Sequence, residues 1–172
     1  MAIPNDMDLI VPDCNFRWYE VWKSETASRL GIENRTDDPK IISNCQELVL
    51  NLAQPLREEL GPLSPQSWVR LEKLEKEITR KSFKRWCKKH GHPHTDATWT
   101  NLYFPLKSHP NGEAMDVEKP GMSNLDLWNF IDDMFDDYDQ LILEFHRKGV
   151  PNSGWVHMSW AGDNNRHEKF IM

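Results

Sequence analysis

Two stretches of this chain hold residues whose types and spacing can do chemistry. In SHPNGEAMDVEKP (108–120), His109 and Asp116 stand seven positions apart around a proline, an asparagine and a glycine. In GWVHMSW (154–160), an extended backbone puts Trp155, His157 and Ser159 on one face and Val156 and Met158 on the other. Two imidazole nitrogens and one carboxylate that leave a fourth position open are the donor set of a catalytic Zn²⁺. The open position of such a centre takes a water, whose pKa the ion lowers toward neutrality. Gly112 lets the chain reverse between His109 and Asp116, so that both can grip one ion from different directions. The same residues also read as a solvated histidine and aspartate in a loop, and spacing alone leaves both readings open.

The elements that must position these residues follow from periodicity. FRWYEVWKSETASRLGI (16–32) predicts a short amphipathic helix ended near Gly31. Residues 40–61 predict a longer one, with Cys45, Leu48, Val49, Leu52, Ala53, Leu56 and Leu60 in a buried stripe. Pro55 must bend or split that helix. SPQSWVR (64–70) is short and strand-like, 71–91 reads as a second long helix with mixed charge, and 92–122 as irregular with a short strand near 114–118. SNLDLWNFIDDMFDDY (123–138) predicts a helix capped by Ser123. DQLILEF (139–145) and GWVHMSW predict a hairpin joined by a loop with Gly and Pro. The expectation is one α+β domain over 1–172, helices packed on a small antiparallel sheet.

Composition bounds the function. A net charge of −6 argues against a nucleic-acid partner, since phosphate contacts need surplus Lys and Arg; the run RKSFKRWCKKH (80–90) reads as a solvated helix face. No apolar run has the length of a membrane span, and MAIPNDMDLIVPD lacks the basic and apolar regions of a signal peptide, so no membrane partner is expected. Three widely spaced cysteines, Cys14, Cys45 and Cys87, point to buried free thiols. KHGHPH holds His90, His92 and His94, but Pro93 prevents a regular ligand spacing. His146 and His167 read as surface residues.

SHPNGEAMD resembles the SxHxxGxAxD signature of zinc peptidases related to D-alanyl-D-alanine carboxypeptidases, matching its H, G, A and D positions, with Ser108 directly before the histidine rather than two residues before. GWVHMSW resembles the family's WxH pair on a strand. SETASRLGI, QSWVR and YDQLILEF resemble, in the same order, segments of the phage and prophage branch, so the resemblance covers roughly 18–170. The family is also related to hedgehog-type zinc domains, some of which hold zinc and mainly bind partners.

The resemblance implies that His109, Asp116 and His157 ligate Zn²⁺. SWVR is similar to the family's SxxR element, which implies that Arg70 stands at the cleft, binds a substrate carboxylate or carbonyl oxygen and steadies developing charge; a structural ion pair is the alternative. Many relatives carry a glutamate three residues before the last histidine ligand, where this chain has Gly154. Glu144, on the strand paired with that of His157, is the candidate general base, expected across from His157 on the same face; Glu113 and Asp139 are outside candidates. The implied function is a monomeric zinc metallopeptidase, a peptidoglycan hydrolase of the endolysin kind or a D,D-carboxypeptidase, with the bacterial cell wall as partner. Such a chain is expected in the host cytoplasm before release, or on a bacteriophage virion. The alternative is a zinc-stabilised, non-catalytic binding or virion structural domain.

Overall fold

The computed structural model describes residues 2–172. Where one helix is predicted over 16–32, the chain forms two, α1 (Trp18–Trp22) and α2 (Glu25–Leu30). Ser24 breaks the run by turning extended, and its side chain accepts the Ala27 N–H as an N-cap. Asp38 caps α3 (Pro39–Leu48) in the same way, with Pro39 in the first turn.

α3 runs on through a π-helical turn at Val49–Ala53 into α4 (Gln54–Leu60). Pro55 does not split this helical run. Its ring lacks an N–H and would crowd the carbonyl four residues back, and the wider turn, closed by Gln54 N–H onto Val49 O, makes the room. The predicted stripe from Cys45 to Leu56 is fully buried.

β1 (Ser64–Ser67), α5 (Glu72–His90), the single turn α6 (Asp96–Thr98), β2 (Ala114–Glu118), α7 (Asn124–Met134), β3 (Gln140–Glu144), β4 (Trp155–Ser159) and β5 (Glu168–Ile171) complete an α+β fold. The sheet order is β1-β2-β4-β3-β5. Four strands are antiparallel, as the sequence predicts. The fifth makes the sheet mixed: β5 runs parallel to β3. It is exposed along its whole length, so no alternation of burial marks it in the sequence.

Period two then sorts the sheet's faces. Met115, Val117, Leu141, Leu143, Val156 and Met158 point into the main core with α3, α4 and α7. Asp116, Ile142, Glu144, Trp155 and His157 share the other face. Among the described residues, no helix is long and apolar enough to cross a membrane.

Candidate metal centre

Register brings two of the candidate ligands together. Asp116 of β2 pairs directly with His157 of β4, so both side chains rise side by side on the face away from the main core. His109 arrives from a 3₁₀ turn, His109–Asn111, that closes on Gly112 at φ 76. A Cβ on Gly112 would lie 2.7 Å from Ile41 O and 2.8 Å from Cys45 Sγ, so this turn is pressed onto α3 as only glycine permits. The segment after β1 fixes the imidazole: Trp68 O lies 2.6 Å from His109 Nδ1, and Arg70 N–H donates to His109 O.

The three side chains converge. His109 Nε2 is 3.2 Å from Asp116 Oδ1 and 3.2 Å from His157 Nδ1, and His157 Nδ1 is 3.1 Å from Asp116 Oδ1. All three residues are buried, at 4–5% exposure. A tetrahedral centre with bonds of about 2.0–2.1 Å has edges of about 3.3–3.4 Å, so the triangle has nearly the size of one tetrahedral face.

Its chemistry calls for a cation. Trp68 O can only accept, so His109 Nδ1 carries the proton and Nε2 presents a lone pair. Burial, reinforced by the Arg70 charge, pushes the His109 pKa down to about 4, which leaves the ring neutral at pH 7. Arg70 Nη2 donates to Asp116 Oδ2, which favours the ionised carboxylate. Two acceptors therefore face each other, and the triangle can draw on one proton at most, from His157 Nδ1. The ring's other nitrogen, His157 Nε2, is buried and has no partner. A divalent ion satisfies all three donors at once. The residues fit.

Arg70 stands at a cleft and is also ion-paired. It lines a cleft of about 440 Å³ together with Lys23, Gln66, Asp116 and Trp155. Its Nη2 also donates to Asp116 Oδ2 at 3.2 Å, and its Nε lies 3.5 Å from Glu75 Oε2. Nη1 makes no hydrogen bond among the described residues and is not buried, which leaves it open to solvent.

Glu144 is on the expected face but not in the expected register. Ile142 pairs with His157, and Glu144 pairs with Trp155, two residues along. It is half-buried, and burial followed by the nearby Asp116 charge pushes its pKa up. Asp139 is gripped by Arg166 at 2.6 and 2.7 Å and by Ser159 at 3.0 Å, and Glu113 is held by Asn111 and Asn44, so neither is free to act.

The glutamate of the resembling pattern has no place here for a physical reason. Gly154 has φ 74, and a Cβ there would lie 1.8 Å from the Glu144 carbonyl oxygen. Gly154→Ala is expected to destabilise the protein by about 2 kcal/mol or more, lowering its melting temperature by roughly 4 °C at least. An unchanged melting curve would contradict this packing.

Sequence reasoning missed two residues of this neighbourhood. Glu75 is 2% exposed on the inward stripe of α5, and Lys107 is half-buried with its Nζ 4.2 Å from the Tyr103 ring centroid. The spacing Glu75, Thr79, Phe83, Cys87 is the signal that pointed to the first: a charge on a buried i, i+4 row. His90, His92 and His94 are exposed and stack on Trp86 and Phe83, with no metal-ligating group among them. The three cysteines are free and buried. Compared with known proteins, the chain matches no family model, no curated protein and no solved structure.

Proposed function

We propose that this chain is a zinc-dependent peptidase that hydrolyses amide bonds in peptidoglycan stem peptides. The observation that carries the hydrolase reading is the triangle of His109 Nε2, Asp116 Oδ1 and His157 Nδ1, three buried donors spaced for one tetrahedral ion beside an open cleft. Peptidoglycan and zinc rest on the resemblance of SHPNGEAMD and GWVHMSW to the zinc peptidase motifs. When bound, the ion supplies a Lewis acid and lowers the pKa of a water in its open position.

The chain's own residues do the rest. Hydrolysis adds one water across the C–N bond: its oxygen goes to the carbonyl carbon and a proton to the departing amine. Glu144, half-buried beside the centre with its pKa raised, accepts a proton at its carboxylate and returns it to the amine nitrogen. Arg70 points its unengaged Nη1 N–H groups at the carbonyl or carboxylate oxygen of the substrate. The fixed Nδ1–H of His109 on Trp68 O keeps the other nitrogen turned to the ion.

Endopeptidase cleavage between L-alanine and D-glutamate and removal of a terminal D-alanine are the two reactions this reading covers. A lysin that accumulates in a host cytoplasm, or one carried on a virion, accommodates either, and a monomer suffices. A non-catalytic zinc-binding domain is the second reading, and Gly154 favours it, because no acid or base can stand there. Purified peptidoglycan separates them. New amino termini that appear with the protein, stop with a chelator and return with Zn²⁺ are expected; tightly held zinc with no product under any condition would leave the binding domain.

A further inference from the structure

Glu75 is a buried carboxylate with little to compensate its charge. It is 2% exposed in the first turn of α5, yet its carboxylate meets a single cation at contact distance, Arg70, whose Nε is 3.5 Å from Oε2. Neither atom makes a hydrogen bond. Burying an ion with so little compensation works against folding. The other end of the same guanidinium reaches the metal centre, where Nη2 donates to Asp116 Oδ2 at 3.2 Å while Asp116 Oδ1 forms one corner of the triangle.

We infer that Glu75 is a positioning residue of the metal centre, anchoring Arg70 so that Arg70 holds Asp116 Oδ2 and leaves Oδ1 alone to meet the ion. The inference rests on reading His109, Asp116 and His157 as a metal site. A carboxylate that can rotate about its last bond offers either oxygen or both, and a partner fixed at Oδ2 removes that freedom. Arg70 is itself a long, rotamer-rich side chain, and Glu75 ties its Nε to a helix of 19 residues.

Charge works in the same direction. With Asp116 and Glu75 ionised and Arg70 protonated, the contact chain carries one net negative charge before a dication enters and one positive charge after. A glutamine at position 75 would make it neutral before and doubly positive after. Opposite charges nearby favour a dication, and an uncompensated guanidinium next to a ligand opposes it.

The test uses the metal alone. Wild-type protein and Glu75→Gln are stripped with a chelator, dialysed, and titrated with Zn²⁺ against a chromophoric competitor; melting of both metal-free proteins is recorded. Zn²⁺ Kd is expected to rise about 10-fold or more, in the range seen for outer partners of metal ligands, with the metal-free protein still folded. Glu75→Asp keeps the charge and is expected to recover most of the lost affinity.

An unchanged Kd in Glu75→Gln overturns the inference, as does a metal-free Glu75→Gln that fails to fold, because the carboxylate would then serve the fold. Glu75→Asp binding as weakly as Glu75→Gln also overturns it. These outcomes are separate from those of the peptidase reading: zinc bound by the wild type without hydrolysis removes the enzyme and leaves this inference standing. A wild-type chain that binds no zinc removes the metal site on which both rest.

Discussion

His157→Ala is expected to leave far less than one zinc per chain after gel filtration and elemental analysis, and to abolish hydrolysis. The substitution removes one corner of a triangle whose edges are 3.1–3.2 Å, leaving His109 Nε2 and Asp116 Oδ1 as the only protein donors. Outer partners of metal ligands are worth 10- to 100-fold in affinity, so loss of a ligand itself is expected to exceed about 100-fold. The metal-free variant is expected to lose some stability as well, because a buried ring and its contact with Asp116 Oδ1 go together, so zinc is counted only on folded, gel-filtered protein. Full zinc occupancy in the variant would remove His157 from the site.

Glu144→Gln is expected to keep zinc and lose turnover by about 10²–10⁴-fold. Glutamine preserves the shape of the side chain and cannot accept the proton. Burial and the Asp116 charge raise the Glu144 pKa, so the carboxylate forms at a higher pH than for an ordinary glutamate, about 4.3. Activity of the wild type therefore rises with pH through that raised value, and the acid limb is expected to vanish from whatever residual rate the variant retains. Near-normal turnover, or an acid limb that survives unchanged, would move the base elsewhere.

The part of the site legible in the sequence is the part written in local pattern. Alternation in GWVHMSW put His157 on the face opposite Val156 and Met158, and Gly112 marked the reversal between His109 and Asp116; the structure brings these three together. What was not legible depends on register and on packing at a distance. Whether Glu144 or Ile142 faces His157 is decided by how the segment 145–154 closes the hairpin, which no periodicity in either strand specifies.

Glu75 is hidden for a different reason. In LEKLEKEITRKSFKRW it is one of several acidic residues; its i, i+4 row with Thr79, Phe83 and Cys87 sets it apart from exposed Glu72 and Glu77, but only the packing of α5 turns that row toward Arg70. Arg70 was placed at the cleft by its resemblance, but its grip on Asp116 required the fold of β1 beside β2, where Ser67 pairs with Asp116. Strand β5 lies on an exposed edge and carries no buried face to be read. The π-turn that absorbs Pro55 is a tertiary accommodation, invisible in a rule that says proline breaks helices.

In the proposed centre, one ion joins His109, Asp116 and His157. Diffraction from zinc-loaded crystals above and below the zinc absorption edge tests it most directly. A single strong anomalous peak is expected about 2.0–2.2 Å from His109 Nε2, Asp116 Oδ1 and His157 Nδ1, at close to full occupancy. A map with no peak among these three atoms, or with zinc only at the exposed histidines near residue 92, would contradict the account.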